Sequence, residues 1–126
     1  MRIPFAQTHI VIQIKEMIEN DILRDVLLEE ERVPSTNELA RLYAINPATA
    51  AKGINLLVEQ GILYKRRGIG MFVSPGAAQA ITAKRRAAFY EQFILPLVAE
   101  ASSLGLTGTE LAAMLEQAAK KKEETA

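Results

Sequence analysis

Three stretches decide the fold: Val33-Pro34-Ser35-Thr36-Asn37-Glu38-Leu39-Ala40, Asn46-Pro47-Ala48-Thr49, and Arg66-Arg67-Gly68-Ile69-Gly70-Met71-Phe72-Val73. Ser35 has the chemistry of an N-cap, and Glu38 three residues on completes a capping box, so a short helix is expected over about Thr36–Tyr43. Asn46 is a second N-cap, with Pro47 at the first helical position, where its missing N–H costs nothing. That helix is expected to run to Glu59 or Gln60 and stop at Gly61, a residue suited to a left-handed cap. Ile62–Arg66 and Met71–Val73 read as two strands around a Gly68-Ile69-Gly70 turn. Two short capped helices meeting at a tight turn, followed by a basic glycine hairpin, imply a winged helix-turn-helix.

Upstream, Pro4 and Phe5 precede a helix expected from about Gln7 to Leu23, with Ile10, Ile14, Met17 and Ile18 on one buried face. Asp25–Arg32 is a connector, with an edge strand leading into Val33. Downstream, Pro75-Gly76 closes the unit, and composition shifts to Ala-rich helix. The expected domains are therefore 1–76 and 77–126. A helix over about Ala80–Ser103 carries Tyr90, Phe93, Ile94, Leu97, Ala101 and Leu104 at helical spacing, and Pro96 within it predicts a kink. Gly105 ends that helix. Thr107-Gly108-Thr109-Glu110 is a capping box for a last helix, with Leu111, Met114, Leu115 and Ala118 on one side and a fraying charged tail from Lys120. The expected class is mainly α with a small β-wing: a winged helix-turn-helix followed by a two-helix C-terminal dimerisation tail. The kinked helix exposes more apolar surface than the last helix alone can cover. Phe89, Tyr90, Phe93, Leu97, Leu111 and Leu115 are accordingly the expected dimer interface.

The bulk properties narrow the function class. A chain of 126 residues with 49% apolar content can build a real core. The absence of Cys rules out a disulfide framework or a thiolate zinc site and fits a reducing, cytoplasmic setting. No apolar run reaches the ~18–20 residues of a membrane span, and the N-terminus lacks signal-peptide patterning, so no membrane association is expected. Formal net charge is +0. The cations cluster, however: between Val33 and Pro75 stand Arg41, Lys52, Lys65, Arg66 and Arg67 against Glu38 and Glu59 alone. Acids concentrate outside, at Glu29-Glu30-Glu31. A basic face on a neutral protein favours moderate nucleic-acid affinity.

On a helical wheel Ala50, Ile54, Leu57 and Val58 face the core, while Ala48, Lys52 and Asn55 line the opposite side with Thr49 beside them. Short polar groups near a helix N-terminus and a cation one turn on are what a major-groove recognition helix needs. Lys52 can reach a phosphate or a guanine edge, and Asn55 can pair with a base. The same face also fits an ordinary amphipathic helix; the helix-turn-helix spacing and the wing favour the first reading. Ser35, Thr36 and Asn37 open the first short helix and Asn46 opens the second, and helix N-termini attract phosphate. Lys65, Arg66, Arg67 and Gly68 form the wing. Edge protection would explain some of its charge, but three adjacent cations exceed that need. Gly53, in mid-helix between small residues, is read as permitting close helix packing. His9 has no partner at metal-ligand spacing and is read as structural, and Lys84-Arg85-Arg86 as a solvated helix face.

At these residues the chain resembles the GntR family of bacterial winged-helix regulators. The resemblance covers about residues 5–75 and rests on Pro-Ser-x-x-x-Leu-Ala (Pro34–Ala40), Asn-Pro-x-Thr (Asn46–Thr49) and Arg-Gly-x-Gly-x-Phe-Val (Arg67–Val73). The short tail, with Leu104-Gly105-Leu106-Thr107 between its helices, is similar to that of the YtrA-like subgroup. The resemblance implies a homodimer with paired tails on a palindromic double-stranded DNA operator. It also implies phosphate contacts from Ser35 and Thr49, recognition by Lys52, and minor-groove contact by Arg67 and Gly68. The family commonly has Arg where Asn37 stands and a Pro-x-Gly-like turn near Glu29-Glu30, and this chain departs at both. The function expected is a sequence-specific, homodimeric transcription regulator, a repressor because operator occlusion needs no further machinery. The alternative is a winged-helix protein-interaction module without DNA binding, which would have no reason to keep the Lys52/Arg66/Arg67 face. No nucleophile–base pair, metal cluster or phosphate loop suggests an enzyme. No cofactor is expected, and a small-molecule effector is left open.

Overall fold

The computed structural model describes residues 2–125, with side chains from residue 9 onward. In chain order come α1 (Arg2–Leu23), α2 (Thr36–Tyr43), α3 (Pro47–Glu59), β1 (Leu63–Arg66), β2 (Gly70–Val73), α4 (Ala77–Phe89), a π-helical turn (Tyr90–Ile94), α5 (Leu95–Ser103) and α6 (Gly108–Thr125). The helix expected from Gln7 starts at Arg2, because Pro4 falls within the first turn, whose N–H groups lack intrahelical partners in any case.

One hydrophobic core fills the winged-helix unit. Ile14, Ile18 and Ile22 of α1, Leu39 of α2, Ala50, Ile54 and Leu57 of α3, Leu63 and Val73 of the hairpin, and Ala77 and Ile81 of α4 pack together with Val33 and Ile62. The chain divides into two compact units between Lys84 and Arg85. That division falls eight residues beyond the boundary expected after Gly76, and the reason is physical: Ala77 and Ile81 are each 1% exposed, so the first turns of α4 complete the first core.

α1 and α3 approach closely at Gly53. A Cβ there would lie 2.9 Å from Ile14 Cγ2 and 3.2 Å from the Val11 carbonyl oxygen, inside van der Waals contact. The expectation that Gly53 permits close packing therefore has a concrete partner. The connector also does more than connect. Glu30 N donates to Val73 O at 2.8 Å, Val33 N to Met71 O at 2.9 Å, and Val73 N to Glu31 O at 3.0 Å. It thus lines the open edge of β2, with a bridge between Arg32 and Phe72.

In the second unit the long helix is irregular just upstream of the proline expected to disturb it. A π-helical turn precedes Pro96, with the Leu95 N–H donating to Tyr90 O five residues back. The helix continues through Leu95 into α5, so Pro96 leaves one backbone hydrogen bond unmade just after the π-turn. The segment from Lys120, expected to fray, is helical through Thr125. Among the described residues of this unit, Ala101 alone is buried. Phe89, Tyr90, Phe93 and Leu115 are exposed and Leu97 and Leu111 half-buried, while Leu95, Val98, Leu104 and Met114 add further exposed apolar surface. No described helix is long and apolar enough to cross a membrane.

Gly53→Ala tests the α1–α3 contact. Helix propensity alone would favour alanine by ~1 kcal/mol. Overpacking against the Ile14 side chain and the Val11 carbonyl opposes it by ~1–3 kcal/mol. We expect net destabilisation in urea denaturation, with a smaller Gly53→Ala penalty in an Ile14→Ala background, which lacks the Cγ2 methyl that a Cβ at position 53 would meet.

Candidate nucleic-acid interface

α2 begins as a full capping box. Ser35 Oγ accepts from Glu38 N at 3.1 Å, and Glu38 Oε1 accepts from Ser35 N at 2.7 Å. These hydrogen bonds from the Ser35 backbone and side chain, with the Arg32 and Arg41 charges, hold the exposed Glu38 carboxyl below its usual pKa. The Ser35 hydroxyl thus accepts from the Glu38 amide, and its own proton is directed to the Glu38 carboxylate. Thr36 and Asn37 follow in the first turn, half-buried and exposed respectively. The helix ends at Ala44 in the left-handed conformation, φ 53°, which turns the chain sharply into Asn46. Asn46 Oδ1 accepts from Ala48 N at 2.8 Å, so its side chain is committed to capping α3.

The two faces of α3 are distinct. Ala50, Gly53, Ile54 and Leu57 are buried. Ala48, Lys52 and Asn55 are exposed, with Thr49 half-buried at the N-terminal end. α3 packs on α1, α2 and β1, which orients its free face.

β1 and β2 pair antiparallel, Leu63 opposite Val73 and Arg66 opposite Gly70. The Ile69 N–H donates to Arg66 O at 2.9 Å, so the reversal is the four residues Arg66–Ile69 rather than one centred on Ile69. Gly68, φ 76°, takes the third turn position, where a positive φ is required, and Arg67 therefore stands at the second. Lys65 and Arg67 are exposed and, among the described residues, in no ion pair.

Arg66 behaves differently from its neighbours. Its guanidinium carbon lies 4.5 Å from the Phe72 ring centroid, Nη2 donates to Tyr64 Oη at 3.1 Å, and Nη2 is 3.7 Å from Glu30 Oε2. The Tyr64 hydroxyl donates to Glu30 Oε1 at 3.0 Å. Arg66 thus covers Phe72, whereas Lys65 and Arg67 remain free to meet an anion. The acidic triplet that lowers the chain's net charge is anchoring as well. Glu29 Oε2 accepts from Gly76 N at 2.9 Å, and Glu31 Oε1 from Leu28 N at 2.7 Å. Glu30 holds φ 69°. A non-glycine residue in that region costs ~1–2 kcal/mol.

Arg32 escaped the sequence reading because nothing nearby in the chain marks it. Its Nε donates to Ile69 O at 3.3 Å, at the tip of the wing. Its Nη1 lies 3.8 Å from Glu38 Oε1. One guanidinium therefore spans the α2 N-terminus and the wing tip, two elements to which sequence reasoning assigned phosphate contact. Among the described residues no group of His, Asp and Glu could hold a metal ion.

A helix-turn-helix with one free polar helix face and a basic glycine wing defines a winged-helix module of the kind found in transcription regulators. Residues 11–73 match the family model for bacterial regulatory proteins of the gntR family, half of the chain. The chain belongs to the GntR family. It is 28% identical to the HTH-type transcriptional repressor YtrA of Bacillus subtilis (strain 168) over 89 residues, 71% of this chain and 68% of that protein. Two other curated regulators are longer, and the chain spans only 28% and 16% of them. A crystal structure of a putative transcriptional regulator of the GntR family from Bacteroides thetaiotaomicron superposes with a TM-score of 0.71 at 31% identity, covering 90% of this chain and 98% of that one. AraR(DBD) in complex with operator ORX1 superposes with a TM-score of 0.50 at 35% identity, covering 52% of this chain and 78% of that one.

The capping carboxylate gives a pH signature. A carboxyl whose folded pKa is depressed stabilises the fold fully above its unfolded value and loses that contribution as pH falls through the folded value. Glu38 should therefore contribute undiminished above about pH 5 and progressively less below pH 4.5. Comparing thermal melts of wild type and Glu38→Gln from pH 7 to pH 3 checks this: the gap between them should narrow as the solution is acidified.

Proposed function

We propose that this chain is a sequence-specific, homodimeric DNA-binding transcription regulator that acts as a repressor on a palindromic operator. α3, residues 47–60, enters the major groove, and the wing, residues 65–70, lies on the backbone and in the minor groove. The observation that carries this reading is the segregation of α3. One face is wholly buried, while the other presents Thr49, Lys52 and Asn55 outward, with Lys52 and Asn55 exposed and free of intramolecular partners among the described residues. Ser35, Asn37, Lys65, Arg67 and Gly68 would contact phosphate or sugar. Asn46 and Arg66 hold the α3 start and the wing in place, in keeping with their intramolecular bonds. The operator in the AraR(DBD) complex supports double-stranded DNA as the ligand class. Repression is the named role of the YtrA relative, and occluding a promoter requires only occupancy of the operator.

The homodimer rests on the second unit. A segment of this length that buries only Ala101 among its described residues, and exposes Phe89, Tyr90, Phe93, Met114 and Leu115, lacks a core of its own. A second copy pairing through these residues would supply one, and a two-fold dimer reads a palindrome as two equivalent half-sites. We expect the full chain to sediment as a dimer. Phe93→Asp with Leu115→Asp, both changes at exposed positions, should yield a folded monomer with weaker operator binding. A doubly substituted chain that stays dimeric would place the interface elsewhere.

Selection of bound duplexes from a random pool tests the reading as a whole, because an interaction module without DNA binding enriches no sequence. Lys52→Ala then assigns specificity. A base-edge contact is worth ~1–3 kcal/mol of discrimination, whereas a phosphate contact discriminates nothing. The substitution should weaken selected DNA more than random DNA. It should relax preference at one pair in each half-site, placed symmetrically about the centre. Titration against single-pair substitutions decides this: equal losses on every duplex would make Lys52 a backbone anchor and leave Asn55 as the base reader.

A further inference from the structure

We propose that Arg32 is a positioning residue for the wing: a strap that fixes the hairpin tip relative to the α2 N-terminus, so that the two meet one stretch of DNA backbone in register. The inference rests on the DNA-binding reading for its purpose, though not for its geometry. The root of the strap is fixed. Arg32 bridges to Phe72, and the backbone on either side of it is hydrogen-bonded to β2 through Glu31, Val33 and their partners Val73 and Met71. From that root the side chain crosses directly over Gly70. A Cβ at position 70 would lie 2.8 Å from Arg32 Nε, 3.5 Å from Cδ and 3.7 Å from Cγ. Gly70 therefore does two things: it holds φ 145°, and it leaves the space through which the guanidinium passes. Beyond it Nε donates to Ile69 O, and Nη1 faces the carboxylate that caps α2.

The wing needs such support. A two-stranded hairpin is marginal by itself, and a Cβ built at Gly68 meets nothing within 4 Å. Arginine suits the task because its planar fork can address a carbonyl and a carboxylate at once, whereas a lysine ammonium is a point charge on a flexible stem. A phosphate ligand role for Arg32 would make the opposite demand: lysine would serve, and loss of the side chain would remove one released counterion.

Wild type, Arg32→Ala, Arg32→Lys and Gly70→Ala separate these possibilities, all in the 126-residue chain. The first readout needs no DNA. Backbone 15N order parameters at Gly68, Ile69 and Gly70 should fall from near 0.85 toward 0.6 in Arg32→Ala and in Arg32→Lys, with α3 unchanged. The second readout is binding to a duplex selected from a random pool, measured against salt. Arg32→Ala and Arg32→Lys should both bind about tenfold more weakly at fixed salt, with the salt slope of wild type, because preorganisation rather than a phosphate contact has been lost. Gly70→Ala should weaken binding in both backgrounds, because φ 145° strains any side chain there, but by a smaller factor in the Arg32→Ala background, where its Cβ has no guanidinium to displace. Unchanged order at residues 68–70 overturns the strap. So does rescue by Arg32→Lys, or a slope reduced by about one unit in Arg32→Ala, which would make Arg32 a phosphate ligand. If Arg32→Ala loosens the wing while the wild-type chain selects no DNA, the strap stands and the DNA-binding reading falls.

Discussion

The approach of α1 to α3 at Gly53 is the constraint on which the rest of the winged-helix unit depends. With no side chain at position 53, Ile14 seats against the α3 backbone, and Ala50, Ile54 and Leu57 are sealed from water. A helix of 13 residues is close to the length at which an isolated helix is marginal, so its rotation and tilt come from this packing and not from propensity. Once the buried face is fixed, the opposite face is fixed as well. Thr49, Lys52 and Asn55 point outward because Ala50, Gly53 and Ile54 cannot.

The charge distribution follows a similar logic. A formal net charge of zero looks unfavourable for meeting a polyanion, but four acids near the proposed interface are engaged by local donors. Glu29 satisfies the Gly76 amide, Glu30 holds Tyr64 and sits by Arg66, Glu31 satisfies the Leu28 amide, and Glu38 caps α2. Each of these carboxylates occupies a local donor. On α3 and the wing the cations left unpaired are Lys52, Lys65 and Arg67. Net charge therefore understates the local field, which is what an approaching phosphate feels within a Debye length of ~10 Å.

Legibility from sequence tracked the range of the interaction. The starts of α2, α3 and α6 were readable because capping is settled within four residues: Ser35 with Glu38, Asn46 with Ala48, Thr107 with Glu110. The wing was readable as a hairpin, but its reversal sits one residue earlier than the glycine pattern suggested, since Gly68 alone supplies the required positive φ at the turn. Arg66 was grouped with Arg67 because adjacent residues look alike in a string, whereas Arg66 ends β1 and covers Phe72 while Arg67 stands in the turn. Pro96 announced a disturbance but not its form; the extra residue is accommodated in a π-turn at Tyr90–Ile94, upstream of the proline. Arg32 was invisible because its partner Ile69 lies 37 residues away. The extent of the first core was missed for a related reason: Ala77 and Ile81 become core only through residues distant in sequence, such as Ile14 and Leu57.

The contrast between the two units bears on how the proposed regulator would work. The first has a closed core and can order its interface without a partner; the second exposes most of its apolar surface among the described residues. Under the proposed dimer, association and operator binding are linked, because anything that stabilises the paired tails raises the population holding two half-site readers at once. Three unpaired cations on α3 and the wing of each chain give a modest, salt-sensitive attraction to any DNA. Doubling the reader through a two-fold multiplies discrimination at the bases, while the extra non-specific attraction stays small because the chain as a whole carries no net charge. In that arrangement a neutral protein gains by keeping its acids: they hold the wing and the helix starts in place while limiting the affinity for random sequence against which specific binding must compete.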